Sequence, residues 1–123
     1  MKRQSVLVCV TGQVGCERLI VAGARLAEPQ QARLCVLHVA RKGNHVLGYA
    51  NEAEALEYLL KVSVEHGADM FVVKSDDVLS AIEKQVRELD VVTLVAGRAA
   101  NYGGWDMLDE LKLRIPDVNF EIQ

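Results

Sequence analysis

The sequence predicts an α/β protein built on one parallel sheet with helices on both faces. Three observations carry this reading. Short apolar runs of strand length alternate with stretches whose apolar residues recur every three or four positions. The first four strand-like runs are continuously apolar, as strands are when helices cover both faces. A helix-like stretch separates each strand from the next, which is the connection parallel neighbours require.

The elements follow in order. Ser5 to Thr11 is a β-branched apolar run bounded by Gly12 and Gly15, and it reads as a buried strand. Cys16, Leu19, Ile20, Gly23 and Leu26 recur at helical spacing, with Pro29 expected just past the helix end. Leu34 to Val39 is the second strand, and Arg41 to Ala50 is a polar loop holding Gly43, Asn44 and Gly48. Asn51 followed by Glu54 has the form of an N-cap with an acidic partner. Leu56, Leu59 and Leu60 then give a helical stripe that Gly67 closes in the left-handed conformation.

Met70 to Val73 is the third strand. Asp76 or Asp77 caps the next helix, whose stripe is Leu79, Ile82, Val86 and Leu89. Val91 to Ala96 is the fourth strand, and Gly97 to Gly104 a second long loop. Leu108, Leu111 and Ile115 form a last helical stripe, stopped by Pro116. Val118, Phe120 and Ile122 alternate with polar residues, the pattern of a half-buried edge strand. The whole is one domain over residues 1–123, in the order β-α-β-α-β-α-β-α-β. Right-handed crossovers make of it a doubly wound open sheet.

Bulk properties narrow the function. Of 123 residues, 50% are hydrophobic and 25% charged, and the formal net charge is -3. No basic patch is legible, so nucleic acid is not an expected partner. No run approaches the ~18 apolar residues of a membrane span, so no membrane role is expected. Cys9, Cys16 and Cys35 are odd in number and contain no Cys-x-x-Cys pair. This argues against a disulfide framework and a zinc site, and points to reduced thiols in the cytoplasm.

In such sheets a ligand binds beyond the carboxyl ends of the strands, where the strand order reverses. The loops after the first, second and fourth strands hold seven of the nine glycines. Thr11-Gly12-Gln13-Val14-Gly15-Cys16 runs from a strand into a helix N-terminus, where free N–H groups and the dipole favour an anion. A tight turn that binds nothing has the same sequence. The segment lacks the Gly-Lys-Ser/Thr ending of a triphosphate loop and the third glycine of a dinucleotide fingerprint. The candidate ligand-binding residues are therefore Thr11, Gly12, Gly15 and Cys16, with Val39 ending the second strand and Gly97 and Arg98 ending the fourth.

Cys16 has two readings. A thiol in the first turn of a helix tends to acidify and become reactive; a small apolar residue on the inner stripe would be inert. His38 lies in an apolar strand and reads as a core histidine. His45 is in the loop beside the expected crevice, and His66 precedes Gly67. No metal-ligand spacing, catalytic triad or carboxylate pair stands out, and the chain is not expected to be an enzyme.

The segments Val6-Leu-Val-Cys-Val-Thr-Gly12, Cys16-Glu-Arg-Leu-Ile20 and Ala22-Gly-Ala-Arg-Leu-Ala27 resemble the opening of universal stress proteins. They are most similar to the universal-stress-like domain of Kdp-type potassium-sensing histidine kinases. Ser75-Asp-Asp-Val-Leu-Ser-Ala-Ile82 and Val91-Val-Thr-Leu-Val-Ala-Gly97-Arg98 are similar to the same domain. The resemblance implies a five-stranded sheet of order 3-2-1-4-5 and an adenine-nucleotide pocket at the ends of strands 1 and 4. It also implies a regulatory, cytoplasmic role, a signalling protein partner and a homodimer.

Members that bind ATP carry a spaced glycine motif after strand 4. Here its places fall on Gly97, Ala100, and Glu110 followed by Leu111, which weighs against ATP. Two other readings stay open. One is an enzyme similar to phosphotransferase IIB domains, using Cys16. The other is a dimerisation module pairing through Val118 to Ile122.

Overall fold

The structure, a computed structural model, describes residues 4–10, 16–40, 52–97 and 107–123. Its elements are β1 (Ser5–Cys9), α1 (Cys16–Gln30), β2 (Arg33–Ala40), α2 (Glu52–Glu65), β3 (Asp69–Lys74), α3 (Val78–Glu88), β4 (Val91–Ala96), α4 (Met107–Arg114) and β5 (Asn119–Ile122). All four pairings are parallel, and the sheet order is β3-β2-β1-β4-β5. This is the doubly wound sheet the alternation implies.

Alternate residues of each strand face opposite layers, so the sheet divides two cores. Val6, Val8, Val10, Leu34 and Val36 meet α1 and α2 through Leu19, Ile20, Leu59 and Val62. Leu7, Cys9, Cys35, Leu37 and Leu94 meet α3 and α4 through Leu79, Ile82, Leu108 and Leu111. Every residue of β1 is buried, because it lies at the sheet centre with a helix layer on each side. Truncating a fully buried leucine such as Leu7 or Leu94 to alanine costs about 2–5 kcal/mol.

The caps match the sequence in two places. Gly67 closes α2 at φ 71°, and the Asp77 carboxylate accepts from the Ser80 N–H at 3.1 Å to start α3. Three expectations are corrected. Pro29 lies inside the last turn of α1 rather than beyond it, and the helix ends one residue later, at a left-handed Gln31. At that exposed position the ring meets no packed neighbour layer, and the Gln30 side-chain amide donates to the Leu26 carbonyl at 2.8 Å. Leu60 is 51% exposed; among the described side chains of α2 the buried ones are Leu59, Val62 and Ser63, with the Ser63 hydroxyl satisfied by the Leu59 carbonyl at 2.8 Å. β3 is an edge strand with Val72 exposed, not a strand covered on both faces.

Among the described residues, no helix is long and apolar enough to cross a membrane.

Candidate functional site

The first crossover, through α1, leaves β1 towards β2, while β4 lies on the other side of β1. α1 and α2 cover one face, α3 and α4 the other. The winding therefore reverses between β1 and β4, and the crevice beyond their carboxyl ends is where such a sheet takes a ligand. β1 and β4 run in register with Leu7 beside Leu94 and Val8 beside Val95.

Of the candidate residues, Cys16, Val39 and Gly97 are described; Thr11, Gly12, Gly15 and Arg98 lie outside the described residues. His45, Ala100 and the loop glycines at 43, 48, 103 and 104 lie outside them as well. Cys16 begins α1 and Gly97 follows β4, so both stand at the reversal point. A Cβ built on Gly97 would lie 3.7 Å from the Leu19 Cδ1. That is ordinary contact, so it fixes the end of β4 against the first turns of α1 without itself requiring a glycine. Val39 is half-buried at the end of β2 and packs with the α3–α4 core.

Cys16 decides between its two readings. Its side chain is 1% exposed. Burial pushes the thiol up, although hydrogen bonds from the Tyr58 hydroxyl and the Glu17 N–H favour the thiolate. A protonated, enclosed sulfur is a poor nucleophile, and the small apolar residue of the inner stripe is what the structure contains. Cys9 is also buried, in the central strand, and its thiol is raised to about 12 by desolvation.

His38 is the satisfied core histidine expected. Its Nδ1 lies 2.8 Å from the Val10 carbonyl, which can only accept, so Nδ1 carries the proton. Val10 N–H in turn donates to the Leu37 carbonyl at 3.0 Å. Both bonds pin the last described residue before the Thr11–Gly15 segment, which fixes where that loop departs.

The chain's fourth helix bears on the phosphate question. α4 carries Asp109 and Glu110 in its first turn, where an anion would otherwise meet free N–H groups. The Glu110 carboxylate lies 3.6 Å from Arg114, whose guanidinium also reaches Glu83 at 3.9 Å. The departure noted at Glu110 is thus a carboxylate set into an α3–α4 ion-pair network. Among the described residues, no group of three His, Cys, Asp or Glu is arranged to hold a metal ion.

A universal stress protein solved in complex with cAMP superposes with a TM-score of 0.70 at 18% identity, covering 100% of this chain and 98% of that one. The universal stress protein from Archaeoglobus fulgidus in complex with dAMP gives 0.67 at 14% identity, with coverages of 99% and 98%. The chain has the universal stress protein fold. In sequence it is similar to the sensor protein KdpD of two Mycobacterium tuberculosis strains, CDC 1551 / Oshkosh and ATCC 25618 / H37Rv, at 32% identity over 108 residues. Those residues are 88% of this chain but 12% of the sensor's length, so the similarity is to a segment of a much longer signalling protein. No family model matches. The resemblance to universal stress proteins and to the Kdp-type sensor domain therefore holds at the level of fold and of this segment.

Proposed function

We propose that this universal-stress-type domain is a non-enzymatic regulatory module that senses an adenine nucleotide in the crevice between the ends of β1 and β4. The observation that carries this reading is the reversal of winding at β1 and β4, with the start of α1 and Gly97 brought to it. Thr11, Gly12 and Gly15 would offer backbone N–H groups to a phosphate, Val39 and Gly97 would border the base, and Arg98 would meet the phosphate charge. The complexes of two neighbours of this fold with cAMP and dAMP support the ligand class. The acidic first turn of α4 favours a nucleotide with little phosphate charge over ATP. Similarity to a segment of a sensor protein supports a signalling protein partner, and the three free thiols suit the cytoplasm. The open edge of β5 would let two copies pair as a homodimer.

Thermal denaturation with AMP, cAMP, cyclic di-AMP and ATP tests the proposal. A ligand at a hundredfold excess over its Kd adds about 2.7 kcal/mol, or roughly ten degrees for a domain of this size. No shift with any nucleotide would end the nucleotide reading and leave a protein-interaction module.

A further inference from the structure

The sheet is open at β3, and the flank of α2 above that edge is apolar. The Tyr58 hydroxyl reaches Cys16, so its side of α2 faces α1. Leu56 and Leu60 stand two residues to either side of Tyr58, about 200° round the helix, and Val64 follows one turn on. This flank therefore points away from α1 and overhangs β3. Leu60 is 51% exposed and Val64 65%. In β3, Met70 packs with the α1–α2 core, so Val72 and Lys74 project on that same face, and both are exposed.

The backbone of the edge is open as well. Ser75 N–H donates to the Ala40 carbonyl at 2.9 Å. Alternate residues of a parallel strand turn their N–H and C=O to one side, so those of Met70, Val72 and Lys74 face outward. Among the described residues nothing pairs with them. Neither a proline nor a bulge interrupts β3 to blunt the edge.

We propose that β3 pairs antiparallel with β3 of a second copy about a two-fold axis through Val72, and that the two α2 helices close over the joint. In that register Val72 meets its own copy and Met70 meets Lys74, so every outward N–H and C=O is used; a shift either way leaves some out. α2 packs over β2 and β3 through Leu34, Val36 and Met70, about half a strand spacing inside the edge. Two strand spacings, about 9.5 Å, then separate the paired helices, and helices pack at about 8–10 Å.

The levels agree too. α2 runs back along β3, and residues 66–68 join them. Val72, about 10 Å along the strand from Asp69, is therefore level with Leu59 or Leu60. Leu60 faces its own copy across the axis, and Leu56 faces Val64. Glu57 and Lys61 on the outer rim are exposed and make no ion pair among the described residues. The axis brings Glu57 of each copy within a turn of Lys61 of the other. A foreign strand could use the edge amides but brings no helix to cover Leu60 and Val64. The interface lies at the opposite edge from β5 and does not rest on the nucleotide reading.

Light scattering over a concentration series, with a short bismaleimide cross-linker on single-cysteine variants, tests this. Leu60→Glu sets two carboxylates at the axis and is expected to weaken the dimer about thirtyfold, the loss of two half-exposed leucine contacts. Leu60→Cys should cross-link into a dimer, whereas Leu113→Cys, at a position 78% exposed on α4, should not; the native thiols are buried. Leu60 is half exposed, so both variants are expected to fold, and unchanged melting curves check that. The proposal fails if the chain is monomeric at millimolar concentration. It fails too if Leu60→Glu dimerises as tightly as the wild type, as pairing through β5 alone predicts, or if Leu60→Cys cross-links no better than Leu113→Cys.

Discussion

Gly23 of α1 lies so close to Val8 of β1 that a methyl group built on its Cα would come within 2.5 Å of the valine Cγ2. The helix rests on the central strand at this point, with Leu34 Cδ1 only 3.1 Å from the same position. An alanine there gains about 1 kcal/mol of helix propensity but must force apart a fully buried contact, which costs about 1–3 kcal/mol. Gly23→Ala should therefore lower the Tm by several degrees. Val8→Ala, which removes the colliding methyl, should cost less in the Gly23→Ala chain than in the wild type, and a double-mutant cycle of melting curves would reveal the coupling.

Cys9 makes stability fall at alkaline pH. Its thiol is raised to about 12 in the folded chain from an ordinary 9.0. The contribution is fully present below pH 9 and disappears as pH rises towards 12, because the unfolded thiol ionises first. At pH 10.5 the loss amounts to about 2 kcal/mol relative to pH 8. Urea midpoints at the two values should drop for the wild type, and less for Cys9→Ala. Equal drops in both would show that the buried thiol is not responsible.

The Asp77 carboxylate is held below its ordinary value by hydrogen bonds from the Ser80 hydroxyl and N–H. A depressed carboxylate stabilises above the unfolded pKa and ceases to do so as pH falls through the folded one. Asp77→Ala should lower the Tm at pH 7, and the gap to wild type should narrow as pH falls below the ordinary carboxylate range. Asp77→Asn keeps a capping oxygen and should lose less. Melting curves at pH 7 and pH 3 for all three proteins give the comparison.

Glu110 should oppose any phosphate near the start of α4. Replacing it by glutamine removes a charge while leaving a polar side chain at the same place. At a few ångströms in a solvated crevice one charge is worth about 1 kcal/mol, so Glu110→Gln should tighten AMP binding about fivefold. Calorimetric titration of both proteins measures it, and unchanged affinity would place the phosphate elsewhere.

Much of this architecture is legible in the chain because the two periodicities seldom conflict. The apolar runs at Val6–Cys9 and Val91–Ala96 lie in strands, and Gly67 and Asp77 punctuate the helices they flank. What escaped was set by neighbours. Leu60 and Leu59 look alike in sequence, but only the position of α2 over the sheet edge decides which one is covered. Val72 sits in an apolar run and is exposed because β3 has a strand on one side only. For the site, the topology rule brought Cys16 and Gly97 to one crevice, whereas the Cys16 thiol takes a hydrogen bond from Tyr58, forty-two positions away in a different helix.

The placement of β1 has a kinetic consequence. Of the five strands, β1 is made first and becomes the middle of the sheet, and its partner β4 follows only from Val91. α1 and α2 can cover one face early, but Leu7, Cys9, Cys35 and Leu37 stay bare on the other until α3 and α4 have been made. Vectorial synthesis thus leaves that face of the sheet bare until α3 and α4 have followed. Folding from a chain already complete avoids that interval. The nascent chain, rather than the finished domain, is where this molecule is most exposed to aggregation and most in need of a chaperone.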